Sequence, residues 1–534
     1  MSEETLTTKS YFPSLQVVYF LLAFKIATLG RASVVLCLYR AIASPLRRIP
    51  GPFVSRFSDI WYFLQVKGGN FEKVNIALHQ RFGPIVRLGP NRYSLCHVDA
   101  TQGIYSINSG AKFAKSPWYS AFGNPLIPRD LFSESNIRVH AQKRRQYQNV
   151  YSLSSMVSYE AFVDECADLF DQRLWEMASD DTTQKVGVPT DMGHWFQCYA
   201  FDVISMITFS KRLGFLEAGR DIDNIMFTLD NSVVFSSLIG IFLSFYKVVL
   251  ALQRVLPQVQ FSKFQAISDF TTQCMAEHQA VPKVMSPDGV ENEEKTNFMT
   301  KLMARHHKDP AKYTEFYAWL GCMQNIAAGS DTTGATLTAT LYYLLKHPQT
   351  MKKLRQEIDH HDRNNSSKSF SFKQTQDMLY LQAVIKEALR MHPATGLPLE
   401  RVVPEGGATI CDQFFPAGTV VGVNTWVEHY NEQIFGPDAT EFRPERWLDK
   451  DKNKVAFLNR HWIPFGMGAR TCIGRHVSYL EIAKLMPRIL RDYDFELTGD
   501  MQHGITSWKT LNHWFVKPKD FRVMLKIRKS QVEN

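Results

Sequence analysis

The chain has few cysteines, and none stands in the spacing from which disulfide frameworks or zinc sites are built. Its 534 residues contain 8 cysteines without a Cys-x-x-Cys pair, so neither a small disulfide-stapled domain nor a zinc ribbon is predicted. The scattered arrangement favours a reducing environment that faces the cytosol. The cysteines are Cys37, Cys96, Cys166, Cys198, Cys274, Cys322, Cys411 and Cys472.

Nucleotide-binding loops are also absent from the sequence. No Gly-x-Gly-x-x-Gly and no P-loop pattern occurs, so a reaction that consumes electrons must receive them from another protein. The net charge of +9 would permit nucleic-acid binding, but no basic run is interleaved with stacking aromatic residues, and we predict no nucleic-acid partner. An acidic protein partner or an anionic membrane surface explains the positive charge better.

A clean membrane-spanning run is missing, although a weaker one stands at the N-terminus. Residues Tyr11 to Phe24 are almost continuously apolar, and a second apolar stretch, Ala32 to Leu38, follows after Lys25 and Arg31. Because a spanning helix needs about 20 apolar residues, the segment fits either a membrane anchor or a soluble amphipathic helix. Basic residues before the hinge Pro50-Gly51-Pro52 favour a cytosolic body. We predict an uncleaved anchor at residues 1–44 and a catalytic domain at residues 45–534.

Helical periodicity is abundant in the rest of the chain. Tyr159 to Ala178 and Glu315 to Leu345 repeat apolar residues at helical spacing, whereas Pro84 to Leu95 alternates like an antiparallel hairpin. The predicted fold class is therefore mainly α with small β-sheets. The apolar region Ile222 to Leu256 fits either plain core or a lid that dips into lipid. Two segments without periodicity predict surface loops, Val281 to Thr296 and His360 to Phe370.

A glycine-punctuated loop presents one cysteine at the start of the last long helix. The run is Phe465-Gly466-Met467-Gly468-Ala469-Arg470-Thr471-Cys472-Ile473-Gly474. Gly468 and Gly474 permit positive φ or a close approach of backbone to a flat ligand, and N–H groups at the helix start point at the sulfur. Alone, Cys472 fits a small buried hydrophobe or, with His476, a hydrolase nucleophile without a placed oxyanion hole.

The same run carries a family resemblance. It resembles the Phe-x-x-Gly-x-Arg-x-Cys-x-Gly signature of the haem-thiolate monooxygenases, the cytochromes P-450, at Phe465, Gly468, Arg470, Cys472 and Gly474. The resemblance covers nearly the whole chain, and at the hinge it is similar to fungal secondary-metabolism members, pisatin-demethylase-like enzymes among them. It implies a fold whose long central helix crosses haem b, and Cys472 as the thiolate ligand of the haem iron, which favours O–O cleavage.

A second motif interrupts the apolar helix at Ala328-Gly329-Ser330-Asp331-Thr332. Polar residues inside such a helix are costly unless they are used, and Thr332 is expected to bond a helix carbonyl and open a local bulge. The small pair Ala328-Gly329 is expected to admit a ligand to the backbone. The resemblance implies that Thr332 holds dioxygen with an ordered water and that Asp331 relays protons. Without it, a helix kink with satisfied polar groups fits equally well.

A third motif joins a carboxylate to two guanidinium groups. Glu387 and Arg390 stand three residues apart on one helical face, and Arg446 follows in the bent run Phe442-Arg443-Pro444-Glu445-Arg446-Trp447. Most pairs at this spacing are solvated. The resemblance implies a structural network of Glu387, Arg390 and Arg446 that fixes the loop before the thiolate.

Haem also brings two propionates, which require cations. The resemblance assigns this task to Arg144, Arg401 and Arg470, whose planar fork suits carboxylates. The chain departs from the family pattern at His140, where tryptophan is usual, and His140 is predicted to bond a propionate in its place. Phe465 opens the cofactor loop. The basic residues Lys143, Arg145 and Arg475 fit either a docking face for an acidic electron donor or a solvated surface.

The resemblance implies a monooxygenase that inserts one oxygen atom from dioxygen into an apolar organic substrate. Electrons come from NADPH through NADPH-cytochrome P-450 reductase, with cytochrome b5 as an additional donor that the family allows, and the location implied is the endoplasmic reticulum membrane. Two alternatives stay open: the same fold acting as an isomerase or dehydratase without external electrons, and a haem sensor or carrier. Substrate-facing positions are expected at Trp118, Tyr119, Ala394 to Leu397 and Thr506 to Asn512.

Overall fold

The computed structural model of the chain describes residues 42–110, 112–123, 127–179, 186–246, 248–249, 265–280, 296–363, 369–499 and 508–528. The anchor predicted at residues 1–44 lies outside this part except for Ile42 to Ser44. The loop predicted at Val281 to Thr296 lies outside it except for Thr296. Of the other predicted surface loop, His360 to Arg363 belong to a helix, and residues 364–368 lie outside the described part.

Helices dominate the described part of the chain, as the periodicity predicts. Those of eight or more residues are α1 (Ile60–Lys67), α2 (Phe71–Phe82), α3 (Ile137–Tyr147), α4 (Leu153–Ala178), α5 (Met192–Phe209), α6 (Ile225–Ile239), α7 (Gln265–Ala280), α8 (Phe298–Lys308), α9 (Glu315–Lys346), α10 (Pro348–Arg363), α11 (Leu379–Met391), α12 (Lys452–His461) and α13 (Arg475–Asp492). Shorter α-helices cover Ala100–Tyr105, Ile107–Gly110, Phe215–Ala218, Phe372–Asp377, Thr425–His429 and Glu432–Phe435. Single 3-10 turns lie at Phe53–Arg56, Pro117–Phe122, Gln148–Tyr151, Gly240–Phe242, Pro444–Leu448 and Gly468–Arg470.

The strands are short and form small separate sheets. They are β1 (Ile85–Gly89), β2 (Arg92–Leu95), β3 (Ala114–Lys115), β4 (Val188–Asp191), β5 (Arg401–Val402), β6 (Ala408–Ile410), β7 (Gln413–Phe415), β8 (Val420–Val423), β9 (Tyr493–Leu497), β10 (Lys509–Asn512), β11 (Val516–Lys519) and β12 (Arg522–Ile527). A five-stranded sheet has the order β1-β2-β8-β5-β3, and a three-stranded sheet has the order β4-β12-β9. The predicted hairpin is confirmed, since β1 pairs antiparallel with β2.

Helix α9 packs closely against α5, and this close packing depends on small residues. A Cβ atom on Gly329 would lie 2.9 Å from Cγ1 of Ile204, and one on Gly334 would lie 3.1 Å from Cα of Gln197, both on α5. Larger residues would push the two helices apart. The prediction that Gly329 admits a ligand is therefore wrong, because this glycine faces a neighbouring helix.

The apolar region beginning at Ile222 forms α6 and the turns after it. Within the described residues, the segment Ile225–Tyr246 is long and apolar enough to cross a membrane by length and composition, although nearly half of its most apolar window is buried inside the protein. Phe227 and Phe245 are exposed, while Ile241 packs in a core cluster with Tyr62 and Trp118. The segment thus has one face in the core and one outside it.

Candidate active site

The loop before α13 folds back on itself and brings Cys472 to a defined position. The N–H of Cys472 donates to the carbonyl of Phe465 over 2.8 Å, and Gly466 and Gly468 have φ values of 69° and 65°. A Cβ atom on Gly468 would lie 2.0 Å from the carbonyl oxygen of Tyr105. Only glycine can occupy that position, because the conformation and the space both exclude a side chain.

Gly474 fits the second of the two roles expected for the loop glycines, which is to leave room for a ligand near the backbone. Its φ is −82°, an ordinary value, and a Cβ atom there would meet nothing within 4 Å. Its contribution lies in its N–H, which points with that of Arg475 at the sulfur of Cys472. The predicted donation from the helix start to the sulfur is therefore present, and of Gly468 and Gly474 only Gly468 has a positive φ.

The electrostatic environment of Cys472 has opposing influences on its thiol. Burial raises the pKa of Cys472, and the N–H groups of Gly474 and Arg475 and the charge of Arg144 oppose that rise. The side chain of Cys472 is nevertheless exposed, although it lies in a densely packed part of the protein. The sulfur therefore faces open space.

A cluster of cationic and basic side chains lies next to this space. Burial and then the charges of Arg470, Lys115, Arg144 and Arg401 lower the pKa of His140 to about 3. Burial and the neighbouring Arg401 lower the pKa of Arg470 to about 10. His140 is buried and stays neutral at ordinary pH. The four side chains that lower its pKa are all positively charged.

The members of the cluster are held by backbone carbonyls rather than by carboxylates. Arg144 donates to the carbonyl of Thr471 over 2.7 Å. Arg470 donates to the carbonyl of Glu134 over 2.6 Å, and Arg401 donates to that of Glu400 over 2.8 Å. Carbonyl dipoles fix the guanidinium groups without neutralising them, so the cluster is suited to an anionic ligand with more than one carboxylate.

Lys115 belongs to the cluster and was missed by the sequence reasoning. Its ammonium donates to the carbonyl of Phe132 over 2.6 Å and lies 4.3 Å from the ring centre of Tyr119. Burial, together with Arg401 and Arg470, lowers the pKa of Lys115 well below its ordinary value. The available signal was a single lysine within the mostly apolar run from Phe113 to Trp118.

Of the three residues named for a docking face, one is buried and two are exposed. Lys143 is buried and forms an ion pair of 2.9 Å with Glu134, so the interpretation of Lys143 as a docking residue is wrong. Arg145 and Arg475 are exposed. Nε of Arg475 donates to Nε2 of His476 over 3.3 Å, which engages one of the two ring nitrogens that the hydrolase alternative could use as a base.

On α9, Thr332 and Ala328 share one face. The Thr332 hydroxyl donates to the carbonyl of Ala328 over 2.9 Å, as predicted, but the helix is continuous and shows no bulge. Ala328 is exposed in the middle of an otherwise buried helix, so this face borders an open space. The next residue, Thr333, lies 3.2 Å from the hydroxyl of Ser478 on α13, which places this part of α9 beside the helix that follows Cys472.

Asp331 points to a different side of α9, towards α5 and β11. Its side chain is buried and accepts hydrogen bonds from Nε2 of Gln197 over 2.5 Å and from Nζ of Lys517 over 3.0 Å. The sequence reasoning had identified neither partner, because Gln197 lies 134 residues and Lys517 lies 186 residues away along the chain.

The three residues of the predicted network contact one another and are almost fully buried. Arg390 binds both oxygens of Glu387, over 2.8 Å and 3.0 Å. Arg446 binds Oε1 over 2.9 Å, and the indole of Trp447 donates to Oε2 over 2.8 Å. Further guanidinium bonds reach the carbonyls of the segment after α11, at His429, Phe435, Asp438, Ala439 and Glu441.

Only some of the positions expected to face substrate lie together in one aromatic cluster, because Trp508 stacks on Tyr342 in the main core instead. Trp118 and Tyr119 pack in a core cluster with Leu397 and Trp514, and the ring centres of Trp118 and Trp514 are 5.0 Å apart. Thr506 and Ser507 lie outside the described residues. Trp514 was not predicted; its φ of 111° is a genuine outlier for a bulky residue.

Comparison of the sequence with known proteins shows to which family the chain belongs. The sequence profile of the family described as cytochrome P-450 matches residues 50–523. This chain belongs to the cytochrome P-450 family. It is 37% identical over 492 residues to pisatin demethylase of Fusarium vanettenii, covering 92% of each chain. It is also 36% identical to a cytochrome P-450 monooxygenase of Aspergillus terreus, over 84% of this chain and 90% of the relative.

Family membership settles the class of chemistry. The protein is a haem-thiolate monooxygenase, like these fungal relatives, and proteins of this family use redox partners and an organic substrate. The residues present fit the cofactor, because an exposed thiol lies beside a cluster of buried and half-buried cations that form no ion pair with a carboxylate of the described residues. The hydrolase, sensor and carrier alternatives are therefore set aside.

Proposed function

We propose that the protein inserts one oxygen atom from dioxygen into an apolar organic substrate, with haem b held by the thiolate of Cys472. The observation that carries the proposal is the Cys472 loop, which presents one sulfur between two backbone N–H groups at the edge of an open space. Haem, when bound, supplies the iron centre at which dioxygen is activated, and the thiolate favours O–O cleavage.

Specific roles follow for the surrounding residues. Arg144, Arg401, Arg470 and His140 bind the propionates, and the excess of positive charge around His140 supports this assignment. Phe465 lines the cofactor loop, where its carbonyl orients Cys472.

Two residues of α9 handle protons. Thr332 faces the open space and holds the dioxygen substrate with an ordered water, while Asp331 delivers protons from a different side of the helix. Glu387, Arg390 and Arg446 keep the segment before the cofactor loop in place through buried bonds.

Electrons are supplied by NADPH through NADPH-cytochrome P-450 reductase, with cytochrome b5 as a second donor. Arg475 is exposed directly after the cofactor loop, and Arg145 is exposed on α3, the helix that carries Arg144. Two exposed cations in this region support docking of an acidic partner. Residues 1–44 form a single anchor in the endoplasmic reticulum membrane, and residues 45–534 form the cytosolic catalytic domain. Exposed apolar side chains near the described N-terminal end support a lipid contact, namely Ile42, Phe53, Val54 and Leu64.

The substrate class is an apolar small molecule of fungal secondary metabolism or detoxification. The aromatic cluster around Trp118, Tyr119 and Trp514 supports a large apolar ligand, and the name of the pisatin demethylase relative supports removal of a methyl group as one reaction. An isomerase or dehydratase of the same fold is the alternative. The presence of Asp331 and Thr332 disfavours it, because such chemistry needs no proton delivery to dioxygen.

The first test is the carbon monoxide spectrum of the dithionite-reduced protein, for wild type beside Cys472→Ser. A strongly red-shifted Soret band that disappears in the variant is expected, since only thiolate ligation produces it. Cys96→Ser serves as the matched control, because Cys96 lies outside the cofactor loop. A band that is unaffected by Cys472→Ser would contradict the assignment of the ligand.

The second test separates the monooxygenase from the isomerase. Product formation is measured with and without NADPH and reductase, in wild type and in Thr332→Ala. Strict dependence on NADPH, with more peroxide and less product in the variant, is the expected outcome. Turnover without NADPH would favour the isomerase.

A further inference from the structure

A lysine from the C-terminal hairpin joins two carboxylates of different helices. Nζ of Lys517, on β11, lies 3.0 Å from Oδ1 of Asp331 on α9 and 2.5 Å from Oδ1 of Asp230 on α6. The side chain of Asp331 is 2% exposed, that of Lys517 16%, and that of Asp230 35%. The three residues therefore form a short row that leads from the interior outward.

The contacts of Asp331 fix its carboxylate from two sides. Gln197 and Lys517 both bind Oδ1, and they come from α5 and β11, which are separate elements packed against α9. The position of Gln197 is rigid, because Gly334 of α9 packs directly on its backbone. With Oδ1 held in this way, Oδ2 is the oxygen that remains for taking up and passing on a proton.

The outer end of the row opens into a small cavity. Its volume is about 40 Å³, and its lining includes Asp230, Leu511, His513, Phe515, Lys517 and Lys519. A water molecule needs a cavity of about 10–15 Å³ with polar partners, so this cavity accommodates water. Asp331 has almost no exposure of its own. Its ion pair with Lys517, which lines the cavity, connects it to this water.

The charged groups in and around the row shift one another's pKa values. Although burial alone would lower it, pairing with Asp331 and Asp230 raises the pKa of Lys517, so this residue stays cationic. Burial raises the pKa of Asp230, and Lys517 and Lys519 oppose that rise while Asp331 adds to it. Burial also lowers the pKa of His513, which faces Asp230 and Lys519.

We propose that Lys517 is a positioning residue for Asp331, and that the cavity at Asp230 is the entry through which solvent protons reach that carboxylate. The proposal rests on the function proposed above for Asp331 and Thr332. When Asp331 gives up a proton towards Thr332, a proton from bulk hydronium enters by way of water in the cavity and restores the carboxyl group. No electron is transferred in this step, and Lys517 keeps its charge throughout.

The contact itself is tested by urea unfolding of a double-mutant cycle. Lys517→Met, Asp331→Asn and the double variant are compared with wild type. Because residues in contact couple, the effects on the unfolding equilibrium constant are expected to be non-additive by a factor of about five. A second cycle with Lys526→Met, whose lysine pairs with exposed Glu496 on another sheet, is expected to be additive with Asp331→Asn.

The function is tested with the haem-loaded enzyme and reductase, by measuring the ratio of peroxide to product and the solvent isotope effect on product formation. Lys517→Met and Asp230→Asn are expected to raise the ratio about tenfold, a part of what a positioned proton donor contributes. Lys517→Arg is expected to restore it, and Lys526→Met is expected to leave it unchanged.

Two outcomes separate the possible failures. If Asp331→Asn and Thr332→Ala raise the peroxide ratio but Lys517→Met and Asp230→Asn do not, the positioning and entry proposal is wrong while the proposed function stands. If none of these variants changes the ratio, proton delivery through α9 is wrong, and the inference falls with it.

Discussion

Two clusters of buried charge flank the cofactor loop, and they are built in opposite ways. Around Glu387 the carboxylate receives bonds on both oxygens, and most of the other bonds of the two guanidinium groups reach carbonyls, with further contacts to Oδ1 of Asp438 and Sδ of Met391. Around His140 the described neighbours that act on its charge are all cations. The first cluster is satisfied within the protein, whereas the positive charge of the second is not balanced by an ion pair among the described residues. We therefore propose that the first maintains shape and that the second binds an anionic cofactor.

Breaking the first cluster is expected to have the largest effect. Glu387→Ala leaves two buried guanidinium groups unpaired, which costs about 3–5 kcal/mol and releases the segment before the cofactor loop. We expect loss of haem content, measured by the pyridine haemochromogen assay, and a matching loss in the free energy of unfolding.

The control for that prediction is an exposed pair with the same spacing. Arg173 and Glu176 stand three residues apart on α4 at 2.7 Å, with 29% and 41% of their side chains exposed. Glu176→Ala is expected to cost less than about 1 kcal/mol and to leave haem content unchanged. Equal effects of the two variants would show that burial of the Glu387 network has no special role.

The two glycines of the cofactor loop are expected to respond differently to alanine. Gly468→Ala combines a left-handed conformation with a clash against Tyr105, and strain of this kind costs about 1–3 kcal/mol or more. Gly474→Ala meets no atom within 4 Å and is expected to fold normally. Thermal unfolding of both variants checks this, and a stable Gly468→Ala protein would contradict the loop geometry.

The second cluster is expected to affect cofactor retention more than folding. Arg470→Gln removes the charge-assisted bond that we propose to a propionate, worth about 1.5–3 kcal/mol, so haem transfer to apomyoglobin is expected to be about tenfold faster or more. The apoprotein is expected to be no less stable than wild type, because the like charges of the cluster repel one another. Destabilisation of the apoprotein would show that Arg470 has a structural role instead.

The smallest effect is expected from a change of pH on the free energy of unfolding. It involves one histidine near each cluster, His429 and His140. Burial and the charge of Arg390 lower the pKa of His429 to about 3, whereas the unfolded chain takes up a proton near pH 6.5. The unfolded state binds more protons between these values, so the free energy of unfolding falls as the pH falls from about 6.5. His429→Gln is expected to remove about 1–2 kcal/mol of this dependence between pH 7 and pH 5.

The pKa of His140 is also about 3, but its cause differs, because nearby cations contribute to the lowering. Binding of an anionic ligand offsets those cations, so histidine NMR titration is expected to show a higher pKa for His140 with haem than without it. The pKa of His429 is expected to stay unchanged. A shift of both, or of neither, would contradict the distinction between the clusters.

Much of the site was predictable because its residues stand in short motifs. Cys472 and Arg470 are separated by one residue, Asp331 and Thr332 are adjacent, and Glu387 and Arg390 share a helical face. Local spacing of this kind fixes which side chains lie together as soon as the helix forms. The departures came where a residue's environment is decided by distant chain: Lys115 joins the cations through the pairing of β3 with β5, and Lys143 is buried by Glu134.

The sequence by itself determined the family, the mainly helical class, the cysteine proposed as the thiolate and the chain positions of the charged motifs, because these depend on composition, periodicity and short spacing. The tertiary structure alone decided that Gly329 packs against α5, that Asp331 faces Gln197 and Lys517, and that Trp514 joins Trp118. Each of these contacts joins segments far apart along the chain, and the closure of such loops depends on the whole packed core rather than on any local pattern.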